Sequence, residues 1–184
     1  YAEKVRALRY DLDESVVKAY FPLERMVDAV FDCAHRLFGL SFVLRPEVRA
    51  YHPDVKVYEV RDRAGAQVGV FLHDNFARPS KRSGAWMSNY RQQSRNTGAQ
   101  GGSVTPIVVN NNNFAKSADG EPPLLSVDEL TTLFHDFGHG WHGLLSNVTY
   151  ERLSGTNVLR DFVELPSQIF EHWAFEPEVL GRHA

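Results

Sequence analysis

The chain has a single cysteine, Cys33, in 184 residues. No internal disulfide can form, and so little cysteine fits a reducing compartment, so a cytoplasmic location is expected. No apolar run approaches the roughly 18 residues of a membrane span, and no membrane partner is expected. There is no charge excess of either sign. Net charge is −3, so no strong field draws nucleic acid or an anionic bilayer, and no nucleic-acid partner is expected. The first ten residues are charged throughout and form no secretory signal. An initiating Met, internal repeats and linker-like stretches are all lacking, so the chain reads as one segment of something longer.

What is present is an ordinary globular composition, with 43% hydrophobic and 23% charged residues. Residues 1–21 read as the end of a helix and a polar connection. Pro22 fits the first turn of the next helix. From Leu23 to Phe38 the apolar residues Leu23, Met26, Val27, Val30, Phe31, Ala34, Leu37 and Phe38 follow the spacing of one helical face, and Gly39 is a C-terminal stop. The period then changes. Ser41–Leu44, Val55–Val60 and Gln67–His73 read as strands, the last two joined by the turn Asp62-Arg-Ala-Gly65. Val104–Asn110 reads as a further strand, with Pro106 favouring an edge or a strand start. Arg95–Ser103 reads as a mobile loop, and Asn110–Asn113 as a turn. Ser126-Val-Asp-Glu129 is a capping box that starts a helix near Val127, running to Leu145 or Ser146. A second helix is expected from about Leu159 to Ala174, with Pro166 a local problem for its ladder. The fold class is α+β: about 1–40 helical, 41–115 mostly strands and loops, and 126–184 helical again.

Within the helix that starts near Val127, residues 135–139 read His-Asp-Phe-Gly-His. Histidines four apart on a helix project from one face, so two imidazoles can reach one Zn²⁺ ion. This is the frame of the H-E-x-x-H motif, with Asp136 in place of its Glu. A third ligand is needed, and the next helix offers Asp161, Glu164 and Glu171. Asp161 and Glu164 share a face; one can bind metal while the other accepts an imidazole N–H, and composition does not choose between them. His142 returns to nearly the same face as His135. It can be a fourth ligand or a peptide contact, although packing beyond the metal is the simpler reading. Gly138, Gly140 and Gly143 each cost the helix about 1 kcal/mol relative to Ala. Close approach of a backbone or substrate, or tight packing, explains them.

These residues resemble the thimet oligopeptidase family of zinc peptidases. The resemblance is carried by His135-Asp-Phe-Gly-His139, Leu153-Ser-Gly-Thr-Asn157 and Arg160-Asp-Phe-Val-Glu-Leu-Pro-Ser-Gln168, and upstream by Tyr51-His-Pro-Asp-Val55, Ala77-Arg-Pro-Ser-Lys81, Gly84-Ala-Trp86 and Asn113-Phe-Ala-Lys116. Glu171-His-Trp-Ala174 is most similar to the bacterial peptidyl-dipeptidase branch. The resemblance implies a zincin-like catalytic core with one zinc per chain, held by His135, His139 and Glu164. It implies that Asp161 supports an imidazole, that Asp136 stands where the family has its general-base Glu, and that Gly84, Ala85 and Trp86 belong to a strand segment near the cleft. Short peptides are the implied substrates, cut to release C-terminal dipeptides.

Family members are several times longer, so the matching part is only the catalytic core. Turnover is expected to be weak, because Asp136 has a shorter reach than Glu. The alternative is a catalytically inactive paralogue, engineered variant or fragment that binds zinc and peptide. Arg78, Lys81, Arg82, Arg91 and Arg95, with Trp86 and Tyr90, form a modest basic cluster. It is read as a solvated face or a contact for a peptide carboxylate.

Overall fold

The computed structural model describes residues 4–5, 13–96, 102–118 and 120–184. The short helix α1 (Glu14–Lys18) is capped by Asp13, whose carboxylate accepts from the Ser15 N–H. Helix α2 (Leu23–Phe38) follows Pro22 at its N-cap and ends on Gly39 in the left-handed region, φ 72°. It buries Leu23, Met26, Val27, Val30, Cys33 and Ala34 along one stripe.

Five strands follow: β1 (Ser41–Leu44), β2 (Lys56–Arg61), β3 (Gln67–Phe76), β4 (Trp86–Arg91) and β5 (Ile107–Phe114). They form one sheet in the order β1-β2-β3-β5-β4. All neighbours are antiparallel except β3 and β5, which run parallel with His73 opposite Asn110. The β2–β3 hairpin turns through Asp62–Gly65 as the sequence predicts, with the Asp62 carboxylate accepting from the Ala64 and Ala66 N–H groups.

Helix α3 (Val127–Leu144) opens on the predicted capping box: the Ser126 hydroxyl accepts from the Glu129 N–H, and the Glu129 carboxylate accepts from the Ser126 N–H. It lies across β3, β4 and β5. A 3₁₀ turn at Glu151–Leu153, helix α4 (Leu165–Glu171), a second 3₁₀ turn (His172–Phe175) and helix α5 (Pro177–His183) complete the chain. The core between α2, the sheet and α3 is aromatic. Phe31 stacks on Phe42 at 4.1 Å, and Phe71 meets Phe137 edge-on at 5.3 Å. Phe134 and Phe137 pass the contact on to Phe170 of α4 at 5.6 and 5.8 Å.

Three expectations change. Asn110–Asn113 do not form a turn; they lie in β5, and Asn110, Asn111 and Asn112 are buried. Asn is a poor strand former in isolation, but here the strand is sandwiched between β3 and β4, and tertiary context overrides propensity. The strand expected over Val104–Asn110 runs instead over Ile107–Phe114, with Pro106 just before it at the strand start, one of the two places the sequence allowed it. The helix expected over 159–174 is broken into turns before Leu165, a short helix, and a 3₁₀ turn. Pro166 occupies the first turn of α4, where no intrahelical N–H is required, so it starts a helix instead of disturbing one. Most of the expected loop Arg95–Ser103, and most of residues 1–12, lie outside the described residues.

Candidate metal centre

Helix α3 presents His135 and His139 one turn apart, with ring centroids 4.9 Å from each other. Glu164 comes from the turn immediately before α4 and is its N-cap residue. Its Oε2 lies 3.2 Å from His135 Nε2 and 3.0 Å from His139 Nε2. One ligand atom from each of the three residues falls within 4.8 Å of the others. The Ser167 hydroxyl, fully buried, donates to Glu164 Oε2 at 2.9 Å and fixes the carboxylate. Two imidazole nitrogens and one carboxylate oxygen on one side suit Zn²⁺, whose catalytic sites take three protein ligands and keep one position open. The donor set therefore fits the ion that the sequence points to.

The two imidazoles differ behind the ligand face. His135 Nδ1–H donates to Glu171 Oε1 at 2.6 Å. His139 Nδ1 is buried with no side-chain or backbone partner among the described residues. Burial lowers the His139 pKa despite the Glu164 carboxylate beside it, so the ring favours the neutral form a metal needs. Burial alone would raise the Glu164 pKa, yet the Ser167 hydrogen bond and the two histidines bring it below the ordinary value.

Asp136 is buried, 4% exposed, and one of its carboxylate oxygens has no partner among the described residues. Desolvation pushes its pKa up to about 7, opposed by His135 and assisted by Glu164. It lines an open cleft of about 330 Å³ together with Ala85, Trp86, His135, His139 and Glu164. Ala85 and Trp86 stand at the head of edge strand β4. Gly84 lies one residue further out, at φ 84°, its carbonyl accepting from Asn113 Nδ2 at 2.6 Å. His142 does not join the three ligands. Burial lowers its pKa, and its ring faces Phe162 at 6.3 Å.

One assignment is corrected. Among the described residues, Asp161 accepts no imidazole N–H; it is exposed and lines a separate surface depression with Arg152 and Leu159. The chain is not helical at 159–164, so the shared face assumed for Asp161 and Glu164 does not exist. Glu171 takes the supporting place instead. Its spacing from Glu164, seven residues or two helical turns, was the available signal. Ser167 was also missed, and nothing in its neighbours marks a buried hydroxyl.

The glycines of α3 resolve as packing. A Cβ on Gly138 would lie 2.6 Å from Ser167 Cα, one on Gly140 3.0 Å from Asn110 Oδ1, and one on Gly143 2.5 Å from Met87 Cε. Part of the basic cluster stays together: Arg78, Lys81, Arg82, Trp86 and Tyr90 line one pocket, which Arg91 and Arg95 do not join. Arg78 and Lys81 are bound to Asp74, Arg91 donates to Thr105, and Arg82 stacks over Trp86 at 4.5 Å.

The family profile "Peptidase family M3" matches residues 1–184. The chain belongs to peptidase family M3. It is 48% identical over 185 residues to the dipeptidyl carboxypeptidase of Escherichia coli (strain K12), with all of this chain and 26% of that protein aligned. Oligopeptidase A of the same organism is 38% identical over 182 residues, 98% of this chain and 26% of that protein. A thimet-like oligopeptidase of Dictyostelium discoideum is 37% identical over 177 residues, 93% of this chain and 25% of that protein. The chain thus spans about a quarter of the length of the curated relatives it matches. Among the described residues, no helix is long and apolar enough to cross a membrane.

Proposed function

We propose that this segment is the zinc-binding core of a zincin-like peptidase that acts on short peptides and releases C-terminal dipeptides. The observation that carries the reading is the convergence of His135, His139 and Glu164, with ligand atoms within 4.8 Å, on a helix and a turn far apart in sequence. Membership of family M3 and the similarity to a dipeptidyl carboxypeptidase support the substrate class. When bound, zinc would supply Lewis-acid polarisation of a peptide carbonyl and a water of lowered pKa.

The chain's own residues do the rest. Among the described residues, edge strand β4 has one side unpaired next to the cleft, so an extended peptide can add to it as a further strand. Asp136 is the carboxylate on the cleft wall and takes the water's proton, then returns it to the leaving amine. The second reading, an inactive zinc and peptide binder, has one specific support: an Asp136 oxygen buried without a partner, on a side chain one methylene shorter than the family's Glu.

Zinc content and affinity of the purified chain decide the primary claim, with Glu164→Ala alongside. The expected result is one zinc per chain, weakened at least 100-fold by the substitution, roughly the scale on which even supporting residues act. No specific zinc in the parent chain would overturn the reading. Binding of a short peptide without product after prolonged incubation of the zinc-loaded protein would select the inactive binder.

A further inference from the structure

The carboxylate behind His135 is more than a neighbour. Helix α4 grips the same imidazole from both sides: Glu164, at its N-cap, lies 3.2 Å from Nε2, and Glu171, its last residue, lies 2.6 Å from Nδ1. We propose that Glu171 is a positioning residue of the metal centre: it holds His135 as the Nδ1–H tautomer and aims Nε2 at the site. This rests on the zinc reading above.

Three observations carry it. A neutral imidazole has one N–H, and a carboxylate can only accept; a Glu171–His135 hydrogen bond therefore places the proton on Nδ1 and frees the Nε2 lone pair. The Glu171 carboxylate has no other hydrogen bond or ion pair among the described residues, so the contact is not a by-product of some other network. His139 provides the contrast, because its Nδ1 is buried and meets no carboxylate. Behind the ligand face the centre is thus asymmetric, with one imidazole held at Nδ1 by a carboxylate and the other by packing.

The device depends on how close α4 lies to α3. Gly138, between the two histidines, has no Cβ, and Ser167 Cα fills the space one would occupy. The same stretch of α4 delivers Ser167 to Glu164 Oε2 at 2.9 Å. Ligand, ligand clamp and imidazole support therefore come from one eight-residue stretch, 164–171. A carboxylate behind His135 also adds a negative charge to the centre without occupying a coordination position, which raises the basicity of the ligand nitrogen.

The test uses Glu171→Ala and Glu171→Gln in the complete chain, with two readouts. The first is zinc affinity by chelator competition. Glu171→Ala is expected to weaken binding about 10- to 100-fold, and Glu171→Gln less, since its amide oxygen still accepts the bond. The second is the ¹⁵N spectrum of His135 in metal-free protein at pH 8. The parent is expected to show protonated Nδ1 and bare Nε2, and Glu171→Ala to lose that preference. If the parent binds zinc and Glu171→Ala binds it equally well, the proposal is overturned. If the parent binds no zinc, the proposed function falls, and the tautomer alone decides the positioning claim: unchanged in Glu171→Ala, it overturns the claim too.

Discussion

At the scale of the residue, the proposed activity turns on Asp136. Its carboxylate is shorter than that of Glu by about 1.5 Å, the length of one carbon–carbon bond. Displacing a reacting group by about 1 Å can cost on the order of 10²-fold in rate. Acidity is not the obstacle, because Asp and Glu carboxyls have nearly the same ordinary pKa. Reach is what remains. Asp136→Glu in the zinc-loaded protein is therefore expected to raise kcat/KM toward a short free-acid peptide by about 10²-fold. A fall in kcat/KM would show that the pocket is shaped around the shorter side chain.

The same scale shows what the sequence disclosed and what it hid. His135 and His139 were legible because helical spacing alone brings two imidazoles to one side. Glu164 needed more, since Asp161 and Glu164 look equivalent until the backbone at 159–164 turns out not to be helical. Pro166 held that information: a proline that can stand in a first turn marks where a helix begins. Read that way, it would have removed Asp161 and left Glu171, two turns on from Glu164, as the support for His135.

At the scale of the element, function depends on how tightly α3 sits in its surroundings. The Gly138, Gly140 and Gly143 positions meet α4, β5 and β4 respectively, so one helix is pressed against two layers. Beneath it, buried Lys81 ties β3 to β5, donating to the carbonyls of Asp74, Phe76 and Asn112 at 2.6–2.9 Å. Polar β5 is stable where it is because its neighbours supply the ladder on both sides and Asn112 Nδ2 donates to Asn75 Oδ1 at 2.8 Å. That is why a run of four Asn reads as a turn in one dimension and is a strand in three. Gly138→Ala is expected to cost about 1–3 kcal/mol, since its Cβ must displace the α4 backbone and not a flexible side chain. Zinc affinity should fall with it, because Glu164, Ser167 and Glu171 would move together. Denaturant midpoint and zinc competition on the same variant check this; lost stability with unchanged affinity would show that α4 adapts without moving its carboxylates.

At the scale of the whole molecule, buried ionisable groups with opposed preferences set the acid stability of the metal-free chain. His73 is fully enclosed, and burial lowers its pKa to about 3 from 6.5. Between those values the unfolded chain holds a proton that the folded one does not, so His73 makes stability rise with pH across about 3 to 6.5. His139 and His142, also lowered by burial, act in the same direction. Asp136 works against them. With its pKa raised to about 7 from 3.8, the folded chain keeps a proton that the unfolded one loses, and stability falls as pH rises through that range. Asp74 enters only in stronger acid. Burial alone would raise its pKa, but Arg78, Lys81 and Tyr51 hold it at about 2, and its contribution disappears as pH falls from 3.8 through 2. Between pH 4.5 and 6.5 His73 and Asp136 nearly cancel, and the lowered His139 and His142 tip the balance, so the metal-free chain is expected to be more stable at the higher value. Asp136→Asn should widen that difference by removing the opposing group, and His73→Gln should narrow it. Urea midpoints at the two pH values, for parent and both variants in chelator, separate the contributions. If Asp136→Asn narrowed the gap instead, Asp136 would be ionised in the folded chain at mild acidity, and its buried oxygen would have a charged partner in solution.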